Sequence, residues 1–416
     1  MTVELPGAVF CNYFFVYILR YTFCEIVFFR IFAVRNKCNI MDNPFIFRVY
    51  KSKELFCDRE KELKLLLANC TSGADTTLIA KRRIGKTGLI HRLFDEIKTE
   101  KMPVIPIYAD IFATRSLDDF IKTLSEAIMN AFPEKSGIGR KFSKFIKALR
   151  PVITYDPLTS APQIQLTLQN EEEKTQTLKG LLTFLDTQNE KILLAIDEFQ
   201  QIREYPEKNV EAMLRTIIQN LNNVTFLYCG SKRHMMLDIF SGERNPFYRS
   251  TEFLTLQKLD HDVYSAFIGS HFRENGIGID DETVDYILDW TRTHTYFTQR
   301  LCHTVYNMAT DKVDVQLVKE AASQILQSDS VVFGQYQQML TAGQWNLLIA
   351  IAKEGSVSQI TARTFLRKYR LGNPSSVNRT VVSLVEKNII DESSEDGKTV
   401  YSLNDVFLSR WLEEKY

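Results

Sequence analysis

The chain has 416 residues, with 51 Lys and Arg against 51 Asp and Glu, 45% apolar and 25% charged. That composition is ordinary for a globular protein of about two or three domains, and zero net charge excludes a global pull toward nucleic acid or an anionic membrane, so any such contact needs a local patch. Cys11, Cys24, Cys38, Cys57, Cys70, Cys229 and Cys302 form no C-x-x-C pair, so no zinc site is expected and a reducing, cytoplasmic setting is.

Residues 1–40 differ from the rest. Val9 to Val34 is crowded with Phe, Tyr, Ile and Val. Arg20, Glu25 and Arg30 interrupt that run, and each is costly at bilayer depth. No uninterrupted apolar region with a small-residue cleavage site is clear either. Met41 is expected to be the true start, which makes 1–40 a mis-assigned or hydrophobic extension. A membrane anchor and a docking helix are the alternatives, and membrane association is not favoured.

From 41 to 258 strand-like and helix-like segments alternate, the pattern of a parallel sheet with right-handed crossovers. Thr77–Ala80 reads as a short buried strand. Thr87 to about Lys98 reads as a helix, because Leu89, Ile90, Leu93, Phe94 and Ile97 share one face. The loop between them follows G-x-x-x-x-G-K-[ST] except at its first position, which is Ala80. Such a loop points backbone N–H groups at an anion, and the helix N-terminus adds its dipole. Ala80, Lys81, Arg82, Arg83, Ile84, Gly85, Lys86, Thr87 and Gly88 are therefore the predicted nucleotide-binding residues. Lys86 is expected to reach the β- and γ-phosphates of ATP, and the Thr87 hydroxyl to ligate Mg²⁺. Ala80 is compatible with this if its backbone angles are ordinary.

Val104–Asp110 is the next strand, followed by a helix over Asp118–Ala131. Pro151–Leu168 breaks the alternation and reads as a hairpin insertion, spanning about 151–170, with its turn at Asp156-Pro157. A helix over Glu172–Asp186 leads to the strand Lys191–Asp197. Its apolar run ends in Asp197-Glu198. Asp197 is the predicted second Mg²⁺ contact and Glu198 the residue that polarises an attacking water. A helix over Asn209–Asn220 precedes the strand Val224–Gly230, which ends at Ser231, Lys232 and Arg233. Ser231 is a candidate γ-phosphate or water contact. Arg249, before the strand Glu252–Leu256, is a candidate charge-stabilising arginine.

Residues 259–335 read as a helical lid, with Asp260 as N-cap of its first helix. Tyr296, Phe297 and Tyr306 are expected in its core rather than stacked on a base. Residues 336–416 read as a winged helix-turn-helix. Its helices are Trp345–Lys353, Thr361–Tyr369 and Pro374–Lys387, the last capped by Asn373-Pro374. A hairpin of Ile389–Asp391 and Thr399–Ser402 follows. From 360 to 388 there are six cations against the single acid Glu386. Arg367, Lys368, Arg370, Ser375, Ser376 and Arg379 are the candidate DNA contacts. The wing argues the other way, because Asp391, Glu392, Glu395 and Asp396 oppose Lys398.

These residues resemble the archaeal-type ATPase family, a P-loop group within the STAND class of AAA-like NTPases. Asn43-Pro44-Phe45 and Phe56-Cys-Asp-Arg59-Glu60 are similar to the family's N-P-F and F-x-x-R-E elements. Arg82 to Thr87 is similar to its phosphate loop, Ile107–Asp110 to its second strand, and Ile196-Asp-Glu-Phe199 to its acidic strand end. The chain departs from the pattern at Ala80. It departs again at Thr293-His294-Thr295-Tyr296, where the family has a G-x-P-x segment. The resemblance implies an α/β P-loop NTPase core with a helical lid and a C-terminal winged helix, and a sheet that sets the two motif strands side by side.

The function expected is hydrolysis of ATP with Mg²⁺, slow without a partner, driving a switch coupled to the winged helix. The alternative is a non-enzymatic DNA- or protein-binding regulator with a degenerate nucleotide site. A membrane-anchored signalling ATPase stands or falls with 1–40. DNA, an unidentified protein and a nucleotide-dependent oligomer are the candidate partners. No motif reads the base, so ATP over GTP rests on the resemblance.

Overall fold

The computed structural model describes residues 43–132, 136–148, 152–155, 162–165, 170–395 and 397–416. The expected start at Met41 and the turn Asp156-Pro157 lie outside them. The strands are β1 (Thr76–Ala80), β2 (Val104–Asp110), β3 (Val152–Tyr155), β4 (Pro162–Gln165), β5 (Lys191–Asp197), β6 (Val224–Gly230) and β7 (Glu252–Leu256). Strands β2, β5, β6, β1 and β7 form one sheet in that order, and every pairing in it is parallel. Strands β3 and β4 pair antiparallel with each other.

Alternate residues of each central strand feed two different cores, because successive side chains point to opposite faces. Leu78, Leu193 and Leu227 pack with Leu63, Leu89 and Leu93 of the helices Glu60–Ser72 and Lys86–Thr99. Ile79, Ile192, Leu194, Phe226 and Tyr228 pack on the opposite face with Phe120, Leu124, Leu178, Leu181 and Phe240. Each such fully buried apolar side chain contributes about 1.5–3 kcal/mol. Caps fix where the helices start. Ser116 accepts from Asp119 N and Asn170 from Glu173 N, each worth roughly 1 kcal/mol.

The sheet order corrects one expectation. The two motif strands β1 and β5 are not neighbours, because β6 lies between them. Strand β6 is buried along its whole length and pairs on both edges, Thr76 opposite Leu227 and Ile192 opposite Val224. A strand that is apolar on both faces and ends in glycine fits a central place. The motif residues are therefore two strand spacings apart, about 10 Å, and a long side chain must bridge them.

Beyond β7 the chain is helical over His261–Glu274, Asp281–Trp290, Thr295–Met308 and Val315–Met339, with β8 (Gly278–Ile279) and β9 (Lys312–Val313) pairing between. Asp260 caps the first of these helices, accepting from Asp262 N and Val263 N. The C-terminal module has helices Ala342–Glu354, Arg363–Lys368 and Pro374–Glu386. Its wing is β10 (Ile390–Glu395) and β11 (Lys398–Leu403), and a terminal helix runs over Val406–Lys415. Thr341 and Gln344 form a reciprocal capping box, and Asn373 accepts from Ser376 N with Pro374 following. Buried residues of the helices after β7 and of this module form one continuous apolar cluster, from Tyr264 and Phe297 to Leu384, Phe407 and Leu412. No helix among the described residues is long and apolar enough to cross a membrane.

Candidate nucleotide site

The site is built where β1, β6 and β5 end. Ala80 is the last residue of β1, buried and paired with Leu256 of β7. It is not among the residues with positive φ, so alanine is at ease where the motif has glycine. The left-handed positions fall later in the loop, at Arg83 (φ 64°) and Gly85 (φ 103°). Gly85 is the N-cap of Lys86–Thr99, and its φ is one that residues with a Cβ rarely adopt. Gly88 lies against Phe56, whose ring is 3.0 Å from where a Cβ would stand. Arg59 begins the helix Glu60–Ser72 with a buried guanidinium, donating to Glu62 Oε1 at 2.8 Å and to the Gln257 carbonyl at 2.6 Å.

Lys86 spans the gap left by β6. Its ammonium donates to Asp197 Oδ1, and it reaches Glu198 Oε1 at 3.2 Å. Lys86 and Asp197 are both buried. Thr87 Oγ1 donates to Asp197 Oδ2 at 2.9 Å, and Tyr108 OH donates to the same oxygen at 3.0 Å. Ser231, carried past the end of β6, donates to Glu198 Oε2 at 2.7 Å, and Gln200 Nε2 donates to it at 2.6 Å. Burial alone would push the Glu198 carboxyl up. The Lys86 charge, with hydrogen bonds from Gln200, Ser231 and Lys86, outweighs it and holds the group below the ordinary range. Burial, with the Asp110 charge, pushes the Tyr108 phenol up, so it remains a donor.

Lys86, Thr87, Asp197, Glu198 and Ser231 are thus brought together. Ile84 is buried, and its carbonyl accepts from Thr295 Oγ1, at the start of the helix Thr295–Met308, at 3.2 Å. The guanidinium of Arg83 lies 4.5 Å from the Tyr296 ring centroid, and Lys81 Nζ lies 2.6 Å from Asp391 Oδ2 in the wing. Arg82 is exposed, and its backbone meets the His294 imidazole. The segment Thr293–Tyr296 therefore holds the loop without a proline. Arg249 is exposed, with φ 50° and its guanidinium on the ring of Tyr248. Of the winged-helix candidates, Arg367, Lys368, Arg370, Ser375 and Arg379 are exposed and Ser376 is half-buried. Lys368 pairs with Glu354 at 2.5 Å.

Tyr108 and Gln200 were not singled out from the sequence. Tyr108 stands on β2, next to β5 in the sheet, and meets Asp197 only through that pairing. Gln200 is two residues past Glu198, inside a 3-10 turn that neither helical nor strand periodicity reveals.

The donor set fits Mg²⁺. A hydroxyl and a carboxylate already within hydrogen-bond distance are hard oxygen ligands, and Mg²⁺ commonly takes one or two of these with phosphate and water. A lysine beside them, at a helix N-terminus, matches phosphate.

Residues 56–295 match the family model described as "ATPase domain predominantly from Archaea". Residues 331–414 match one described as "Probable winged helix domain". Among solved structures, the Walker-type ATPase of Pyrococcus abyssi is similar with a TM-score of 0.60 and 18% identity, over 89% of this chain and 99% of that one. The ORC2 protein of Aeropyrum pernix, solved in ADPNP–ADP complexes, is similar with a TM-score of 0.55 and 14% identity, over 90% and 96%. At these identities the likeness is one of fold. No curated protein matches the chain.

Proposed function

The chain belongs to the ATPase family found predominantly in Archaea, and from that premise we propose that it binds ATP with Mg²⁺ and hydrolyses it. One observation carries the reading: Lys86, Thr87, Asp197 and Glu198 converge within hydrogen-bond distance from two segments far apart in sequence. Lys86 and the loop amides of 81–88 hold the phosphates. Thr87 and Asp197 hold the metal, which supplies charge neutralisation on the phosphate oxygens. Glu198, kept ionised, accepts a proton from the attacking water. Turnover is slow without a partner.

The working division is an ATPase core over 41–258, a lid over 259–335 and a winged helix over 336–416. The lid and winged helix share one apolar cluster, so they are expected to move together as the nucleotide changes and to act as the output of a switch. The test is ATP hydrolysis by the full chain beside Lys86→Ala and Glu198→Gln, with and without duplex DNA. Lys86→Ala is expected to lose nucleotide binding. Glu198→Gln is expected to keep binding and to lose turnover by about 10²–10⁴-fold. Equal turnover in wild type and Glu198→Gln would remove the role given to Glu198, and no turnover in either would remove the enzyme reading.

A second reading, DNA binding by the winged helix, is favoured by one feature. Arg367, Arg370 and Arg379 are exposed on the same module. Stimulation of hydrolysis by duplex DNA, lost in Arg379→Ala, is the outcome that supports it.

A further inference from the structure

The two oxygens of Glu198 are treated differently by the fold. Oε1 faces the Lys86 ammonium at 3.2 Å. Oε2 accepts two hydrogen bonds, from Gln200 Nε2 at 2.6 Å and from Ser231 Oγ at 2.7 Å. The backbone brings both donors to one side. Glu198 is left-handed (φ 58°, ψ 41°), which turns the chain out of β5 into the 3-10 turn Phe199–Glu204. Phe199 is fully buried and anchors that turn against Tyr228 at 4.6 Å and against Phe240 and Phe247 at 5.7 Å.

Gln200 is only 3% exposed. Its place depends on Gly230, the last residue of β6. A Cβ on Gly230 would stand 2.4 Å from Gln200 Oε1 and 2.4 Å from Met236 Cγ. Gln200 Oε1 has no hydrogen-bond partner among the described residues. A carboxylate offers no proton, so it is the amide NH₂ that faces Glu198. Leaving the amide oxygen unpaired in the interior costs about 1–3 kcal/mol, a cost the fold sustains while it keeps the NH₂ on Glu198.

We propose that Gln200, together with Ser231, is a positioning residue for hydrolysis: the two donors hold Oε2 so that Oε1 is the oxygen that takes the proton of the attacking water. This rests on reading the site as one that hydrolyses ATP. Lys86 turns from Oε1 to the phosphates, while Oε2 stays held. The water oxygen bonds to the γ-phosphorus and its proton passes to Oε1. The bridging P–O bond breaks, and its electron pair leaves with ADP.

The test uses the full chain with Gln200→Leu, Ser231→Ala and Ser231→Thr, and with Glu198→Gln as the reference. Gln200→Leu and Ser231→Ala are each expected to lower kcat roughly ten-fold and to leave the ATP Kd within about two-fold, and Ser231→Thr, which keeps the hydroxyl, to restore kcat. Combined with Glu198→Gln, where no carboxylate remains to be aimed, Gln200→Leu is expected to lower turnover no further. Ser231→Ala carries the same test should Gln200→Leu not fold. A kcat within about two-fold of wild type in the folded variants overturns the clamp alone. Loss of kcat and ATP affinity together, repeated when Glu198→Gln is already present, assigns Gln200 to packing and also overturns it. Wild type that binds ATP without any turnover overturns the hydrolytic reading itself.

Discussion

Lys81 of the phosphate loop and Asp391 of the wing form an ion pair, Nζ to Oδ2 at 2.6 Å. The wing therefore rests on the loop predicted to hold phosphate, and Asp391 is held by that loop. The Lys81 side chain is 42% exposed and that of Asp391 24%, so the pair is worth at most about 1 kcal/mol. A phosphate arriving at the loop competes with Asp391 for Lys81. Asp391→Asn removes the competitor and is expected to tighten ATP binding by about two- to five-fold at low salt. The gain should shrink above roughly 0.5 M salt, where exposed charges are screened. Titration calorimetry at two salt concentrations checks this, and a variant that binds ATP more weakly at both counts against competition.

Ala80 gives a second outcome. It is buried at the end of β1 with ordinary extended backbone, so restoring the motif glycine relieves nothing. Ala80→Gly is expected to lower stability by about 0.5–1 kcal/mol through the freedom it adds to the unfolded chain, and to leave ATP affinity unchanged. Urea unfolding and a binding titration read the two effects separately. Tighter ATP binding in Ala80→Gly would mean that the methyl hinders the loop.

Both residues show what the sequence could and could not reveal. The central strands were legible because their signal is local. Ile192 to Ile196 is a continuous apolar run that ends in carboxylates, and Val224 to Cys229 is a nearly continuous one that ends in glycine. Asn373-Pro374 marked its helix start for a similarly local reason. Strand order was not local. That β6 separates β1 from β5 depends on which edges pair, and no periodicity records it. The partners of Asp197 and Lys81 were hidden likewise, because Tyr108 and Asp391 reach them only through tertiary packing. The helices Gly137–Ala148 and Val406–Lys415 were also missed.

His294 makes stability depend on pH. It is 9% exposed, its Nδ1 lacks a hydrogen-bond partner among the described residues, and its ring packs 4.7 Å from Phe297. Burial, with the nearby Lys258 charge, pushes the imidazole from 6.5 down to about 4. The unfolded chain binds a proton near pH 6.5, whereas the folded chain does so only near pH 4. Unfolding is therefore favoured as pH falls through that window, by about 2 kcal/mol at pH 5 relative to pH 8. His294→Gln is expected to be less stable at pH 8 and to lose less on acidification. Urea midpoints at pH 8 and pH 5 check it, and equal acid losses in both proteins would mean that His294 titrates normally in the fold.

Arg292 tests whether the helices that follow β7 and the winged helix are one body. Its guanidinium donates to the Gly355 carbonyl at 3.3 Å, Ser409 Oγ at 2.9 Å and Glu413 Oε1 at 2.7 Å. Arg410 adds a second tie, donating to the Trp290 carbonyl at 2.9 Å and to Glu413 Oε2 at 2.8 Å. Beneath them Phe407 packs 4.8 Å from Phe297 and 5.7 Å from Trp290. Arg292→Ala strips three acceptors of a charged donor and leaves Glu413 to Arg410 and the Ser409 hydroxyl. The expected cost is about 2–4 kcal/mol, felt first as faster amide exchange in Ala342–Glu354 and Val406–Lys415, with the β-sheet unaffected. Because the apolar contacts remain, the module should loosen without detaching. Exchange that rises equally in β1 and β5 would show instead that Arg292 supports the whole chain and that the C-terminal module has no separate motion to couple.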